Sequence, residues 1–223
     1  MGGGSDIEAV IFDYGGVLAT SQWDVLAQVE TNRGYPSGTF GLVFGAALDP
    51  ERPDLPSWYL LETGELRWSE FVRRSIEQAA GQVDGRTLDG ADFEPLEELM
   101  PLGAQWAVIH RVRQLRARGL ATAICTNNVA EFGPYWRSTV PLELFDVVVD
   151  SCEEGVRKPD PAIYLRTAER LACPPAACAF LDDSAANVAG AESVGMTGVL
   201  VGPDAEAAMD ELDALLSASL RRG

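Results

Sequence analysis

Five short apolar runs, separated by segments of helical spacing, limit what this chain can fold into more than any other feature. They occupy residues 9–12, 120–125, 145–149, 177–181 and 197–201. Each run is strand-length rather than helix-length and is followed by a polar or glycine-bearing turn, so each reads as a buried strand. Between them, residues 104–118 place Trp106, Ile109, Val112 and Leu115 on one face and arginines on the other, with Gly119 as a stop. Residues 160–171 form a second helix with Pro161 in its first turn, and 185–194 a third that ends at Gly195. A short acidic helix follows Pro203, with a frayed Arg221-Arg222-Gly223 tail. Strands alternating with helices in this way call for an α/β fold built on a parallel, doubly wound sheet.

Residues 21–100 break the alternation. They hold no convincing strand, only segments carrying Trp, Leu and Glu (23–30, 40–48, 56–61 and 69–80) divided by glycine and proline. Ser69 is placed to cap a helix that carries Phe71, Val72, Ile76 and Ala79. A helical insertion at 21–100 within a core made of residues 6–20 and 101–223 follows, and 223 residues suffice for both. Trp23, Trp58 and Trp68 are expected to fill the interior of that small layer.

Charge narrows the function classes. With 34 acidic residues against 17 basic ones the formal net charge is −17, which repels nucleic acid and anionic membranes. No apolar stretch approaches the roughly 20 residues that span a bilayer. The Met1-Gly-Gly-Gly-Ser5 start has neither a basic region nor an apolar core, so it reads as a flexible lead and not a signal peptide. Cys125, Cys152, Cys173 and Cys178 have no Cys-x-x-Cys spacing, and His110 is the one histidine. Reduced thiols in a cytoplasmic protein are expected, with no structural zinc. An acidic chain that binds a phosphorylated metabolite must supply local positive charge, and the basic residues are 16 arginines and one lysine, Lys158. A compact, flexible ammonium differs from guanidinium in what it can hold, which marks that position.

Three of the five runs end in residues capable of chemistry: Asp13, Thr126 with Asn127, and Asp182 with Asp183. In a parallel sheet the carboxyl ends lie along one edge, where ligands bind. Singly, each residue is an ordinary turn or capping choice. Turn chemistry does not account for this set of types spread over three strand ends. Three carboxylates in one crevice repel unless a cation joins them, and all-oxygen donors suit Mg²⁺ better than zinc. Thr126 and Lys158 are suited to holding the peripheral oxygens of a phosphoryl group.

The segments Ile11-Phe-Asp13-Tyr-Gly-Gly-Val, Ile124-Cys-Thr126-Asn127, Glu154-Gly-Val-Arg-Lys158-Pro-Asp-Pro and Phe180-Leu-Asp182-Asp183-Ser-Ala-Ala-Asn187 resemble the four ordered motifs of the haloacid dehalogenase-like hydrolase superfamily. The resemblance covers residues 7 to about 202. It implies a Rossmann-like core of strand order 5-4-1-2-3 with an inserted α-helical cap of the C1 kind. It also implies roles: Asp13 as nucleophile, Thr126 and Lys158 as phosphoryl ligands with Gly15, Gly16 and Asn127 beside them. Asp13, Asp183 and the Gly15 carbonyl would ligate Mg²⁺, with Asp182 behind them and Asn187 orienting the shell.

One part of the pattern is missing. In the superfamily the first loop commonly reads Asp-x-Asp-Gly, the second Asp acting as general acid; here that place is Gly15. Such assistance is worth roughly 10²–10⁴-fold. The loop is similar to those of the Asp-x-Gly-(Asn/Gly) phosphatases, sugar-phosphate phosphatases among them, and of the N-terminal phosphatase domain of epoxide hydrolases. A Mg²⁺-dependent phosphatase on a small phosphomonoester is therefore expected. A metal-free haloacid dehalogenase also lacks the second Asp but has no use for the Asp182-Asp183 pair. A catalytically silent phosphate-binding domain has no physical need of a nucleophile. Phosphonate hydrolysis through a cap lysine is excluded, since residues 21–100 contain none.

Overall fold

In the computed structural model, which describes residues 6–48, 51, 55–79, 82–83, 86–100 and 103–220, strand β1 (Ala9–Phe12) lies at the centre of a five-stranded sheet. Four helices follow it: α1 (Gln22–Arg33), α2 (Thr39–Ala46), α3 (Ser57–Glu62) and α4 (Trp68–Gln78). A two-residue antiparallel pair comes next, β2 (Gln82–Val83) with β3 (Arg86–Thr87). The chain then alternates through α5 (Trp106–Ala117), β4 (Ala121–Thr126), α6 (Gly133–Thr139), β5 (Val147–Asp150), α7 (Ser151–Glu154) and α8 (Pro161–Arg170). It closes with β6 (Cys178–Asp182), α9 (Ala185–Ser193), β7 (Thr197–Leu200) and α10 (Ala205–Leu220). The lead at 1–5 and the tail at 221–223 lie outside the described residues.

The sheet runs β5-β4-β1-β6-β7 with every neighbour pair parallel. Counted among the five sheet strands and read from the β7 edge, this is the expected 5-4-1-2-3 order. Every residue of β1 is buried, which explains its unbroken apolar run: both faces are covered. Alternation still divides it. Val10 and Phe12 join one apolar cluster, with Val112 and Leu115 of α5 and Leu212 and Leu216 of α10. Ala9 and Ile11 join the other, with Ile163, Tyr164 and Ala168 of α8.

The helical insertion shares the first of those clusters, through Phe40, Phe44, Leu61, Phe71 and Phe93 among others. Its centre is Phe44, whose ring lies 5.1–5.9 Å from those of Phe40, Trp58, Trp68, Phe71 and Phe93. Where the chain leaves the sheet and returns, Thr20 N–H donates to the Gly103 carbonyl and Gln105 N–H to that of Leu18, both at 2.8 Å. The two crossings are thereby tied side by side.

The structure corrects the sequence reading at three points. β2 and β3 lie in a region where no strand is expected, because two-residue strands are too short to show alternation. Helix α4 starts at Trp68, one residue before the expected Ser69 cap: its N-cap is Arg67, and the Trp68 N–H is taken by the Glu131 carboxylate at 3.2 Å. A carboxylate from a distant segment thus does what a local hydroxyl was expected to do. Trp106 is 61% exposed, since it occupies the first position of α5, ahead of the stripe Val108, Ile109, Val112 and Leu115.

Candidate active site

The carboxyl ends of β1, β4 and β6 lie side by side, with Phe12 registered between Ile124 and Leu181. Asp13 is the next residue of the central strand, and its N–H still donates to the Leu181 carbonyl at 2.9 Å. The sheet therefore fixes its backbone. Its Oδ1 accepts the Tyr14 N–H at 2.6 Å and stands 2.7 Å from Lys158 Nζ. That ammonium, fully buried, also donates to Asp182 Oδ2 at 2.7 Å. Burial pushes the Asp13 carboxyl above its ordinary value, opposed by Lys158 and reinforced by Asp182. For Lys158 burial acts downward, but Asp13 and Asp182 outweigh it and hold the ammonium above the ordinary lysine value. A buried cation shared by two carboxylates is charged and immobile.

Asp182 is saturated. Its Oδ1 accepts the Ser184 N–H at 2.8 Å and Asn187 Nδ2 at 3.0 Å, at the start of α9. Asn187 thus steadies Asp182 and through it Lys158. Asp183, one residue on, is exposed at the cavity. Gly16 makes room for it: with φ of +77°, any side chain there would be strained and would run into the Asp183 carboxylate. Gly15 also faces the cavity, and a Cβ built there meets nothing within 4 Å. Asn127 turns its side chain to the Lys158 main chain, accepting its N–H at 2.8 Å and donating to its carbonyl at 3.0 Å. That reciprocal pair positions the lysine. Thr126 is buried at the end of β4 and lines the cavity.

Carboxylate oxygens of Asp13, Asp182 and Asp183 lie within 4.8 Å of one another. This hard, all-oxygen set fits a divalent cation such as Mg²⁺, which would offset the repulsion among them. The fit is best for Asp13 and Asp183, because both oxygens of Asp182 are already engaged.

These groups open on a cavity of about 340 Å³, and its far side is supplied by the helical insertion. Trp23 at the start of α1 and Trp58, Tyr59 and Glu62 of α3 face it, with Met100 and Phe132. Of the three tryptophans expected in the interior, only Trp68 is buried there; Trp58 lines the cavity and Trp23 is 63% exposed. Beside Lys158, Arg157 lies 3.8 Å over the Tyr59 ring and 2.5 Å from Glu62 Oε2. Burial raises the Glu62 carboxyl, and Arg157 only partly offsets it. Sequence reasoning passed over Arg157, although it adjoins Lys158 in a quoted motif. Nothing in the sequence signals Glu62 or Tyr59. A second hollow of about 480 Å³ lies beside Glu8, Arg118 and Cys173 and holds none of the strand-end carboxylates, so chemistry rather than size selects the site.

Comparison with known proteins places the chain in a family. A family model described as haloacid dehalogenase-like hydrolase matches residues 7–195. A mouse protein, acyl-CoA dehydrogenase family member 10, is 34% identical over 99% of this chain, which spans only 20% of that relative. Phosphatase MT3486 of Mycobacterium tuberculosis is 31% identical, with 87% of each chain covered. Among solved structures, the enzyme bt-2542 of Bacteroides thetaiotaomicron, in complex with magnesium and inorganic phosphate, superposes with a TM-score of 0.63. At 18% identity, with 89% of this chain and 96% of that one covered, it speaks for the fold.

Proposed function

The chain belongs to the haloacid dehalogenase-like hydrolases, and from that premise we propose that it hydrolyses a small phosphomonoester through a phosphorylated Asp13. One observation carries the reading: the buried Lys158 ammonium, 2.7 Å from both Asp13 and Asp182, at the foot of a cavity that also holds Thr126 and Asp183. The relative named as a phosphatase and the neighbour holding magnesium and phosphate support it. A metal-free dehalogenase, attacking carbon, would keep Asp182 as the partner of Lys158 but would have no work for Asp183.

Lys158 and Thr126 hold the peripheral phosphoryl oxygens while a free oxygen of Asp13 attacks phosphorus. The bond from phosphorus to the alcohol oxygen breaks, and with Gly15 in the acid's place that oxygen takes its proton from water. A second water then attacks phosphorus, releasing the Asp13 carboxylate, and its spare proton neutralises the hydroxide that the first water left in solvent. One ester and one water become one alcohol and one inorganic phosphate. Asp13, Asp183 and the Gly15 carbonyl would hold Mg²⁺, which when bound neutralises charge building on the phosphoryl oxygens. Asp182, Asn187 and Asn127 keep Lys158 in place, and Gly16 keeps the space for Asp183. Residues 21–100 serve as a cap over a core of residues 6–20 and 101–223. No helix among the described residues is long and apolar enough to cross a membrane. The four free thiols suit a reducing cytoplasm.

The test is p-nitrophenyl phosphate hydrolysis with Mg²⁺ and with EDTA, beside chloride release from 2-chloropropionate. Mg²⁺-dependent phosphate release, absent in Asp13→Asn, is expected. Chloride release without phosphate release would contradict the reading.

A further inference from the structure

The cavity is lined both by polar groups of the core and by aromatic residues of the helical insertion. Asp13, Thr126 and Asp183 line it from the strand ends with Lys158 beside them, and Trp23, Trp58, Tyr59 and Met100 line it from the helical insertion, with Phe132. A binder of polyols needs donors and acceptors on that wall. Of its polar side chains, Glu62 and Arg157 are paired with each other, and the Arg157 guanidinium lies 3.8 Å over the Tyr59 ring. The aromatic groups differ in how they are held. Trp58 is anchored, with its ring 5.8 Å from Phe44 and 5.3 Å from Phe71, so it offers a fixed surface. Trp23 leaves 63% of its surface exposed at the first turn of α1 beside the cavity, so its apolar area is there for a ligand to bury.

We propose that the alcohol part of the substrate is a planar aromatic group, packed against Trp58 and covered by Trp23, rather than a sugar. This rests on the phosphomonoesterase reading and names the substrate class of that site. A cavity of about 340 Å³ lies at the small end of ligand pockets, so one or two fused rings beside the phosphoryl group are what it accommodates. Offset or edge contacts with two indoles add to the area buried, and each such pair is worth about 0.5–1.5 kcal/mol, or roughly twofold to tenfold in affinity.

The experiment compares 1-naphthylmethyl phosphate with glycerol 1-phosphate. Both release primary alcohols, so leaving-group chemistry does not decide the outcome. The expected result is a kcat/KM about tenfold or more higher for the naphthylmethyl ester. Trp23→Ala, at an exposed position where folding is not at stake, should lower that preference about threefold or more. Trp58→Ala should lower it further, and Trp58→Phe should restore part of it. Equal or better turnover of glycerol 1-phosphate would overturn the inference while leaving the phosphatase reading standing. A preference unmoved by Trp23→Ala and Trp58→Ala would also overturn it. Hydrolysis of neither ester would sink the phosphatase reading and the inference with it.

Discussion

At the strand-end pole of the cavity Lys158 is fully buried and shared by Asp13 and Asp182, whereas across from it Trp23 is mostly exposed on the first turn of α1. The polar groups are fixed twice over. Parallel pairing sets the backbone of Asp13, and ion pairs and Asn127 set Lys158. The aromatic wall has no such register. Its positions follow from ring packing around Phe44 and from the clasp that Arg157 makes with Glu62 and Tyr59. Groups that must be placed to within fractions of an ångström are fixed by the sheet and by Lys158's ion pairs, and the aromatic wall by packing among helices.

The comparison is broken most severely at Lys158. Lys158→Ala leaves Asp13 and Asp182 buried without their common cation, and should cost about 3–5 kcal/mol in denaturant unfolding along with all measurable turnover. A stable, active variant would show that the pole is not held by that pair of bonds. Phe44→Ala attacks the other region. It removes the ring that five others touch and should lower stability by about 3 kcal/mol while moving KM more than kcat. A loss of kcat as deep as that of Lys158→Ala would mean the two regions are not independent.

Smaller effects sharpen the contrast. A Cβ at Gly15 meets no atom within 4 Å, so Gly15→Asp fits sterically and places a carboxyl at the cavity. It should raise the rate on an alkyl phosphate about tenfold or more, and that on p-nitrophenyl phosphate far less, because p-nitrophenolate leaves without a proton. Equal effects on both esters would contradict the account of the missing acid.

The clasp has a pH signature. Burial raises Glu62 in the folded protein, so folding takes up protons there and the ionised form is penalised. The wild type should therefore lose stability relative to Glu62→Gln as pH rises from the unfolded glutamate value of about 4.3 towards neutrality. Melting temperatures of the two proteins across that window test this, and a gap that is constant or closes in the other direction would contradict the assigned burial of the Glu62 charge.

Much of the strand-end pole was legible before the structure, and the reason is physical. A buried parallel strand shows as an apolar run, and the residue after it must stand at the carboxyl edge of the sheet, so Asp13, Thr126, Asp182 and Asp183 announce their places. The roles within the group were less legible. The resemblance sets Asn127 beside the phosphoryl ligands and Asn187 at the shell, and the structure adds which partners their amides take: the Lys158 main chain and Asp182. Amide side chains reveal their partners only once the chain is folded. The helical wall was least legible, because helical spacing gives a buried face but not what that face meets. Trp23 and Trp58 share composition and context with Trp68, and only packing separates cavity wall from interior. The Trp68 N–H, capped by Glu131 from another segment, makes the same point.

The central claim is that Asp13 carries the phosphoryl group during turnover. Its most direct test is acid quench of the enzyme during steady hydrolysis with Mg²⁺, followed by mass spectrometry of the peptide that contains Asp13. The account predicts a phosphoryl adduct on Asp13 that needs Mg²⁺ and substrate and is absent from Asp13→Asn. Undiminished phosphate release by Asp13→Asn, or an adduct on a different residue, would contradict it.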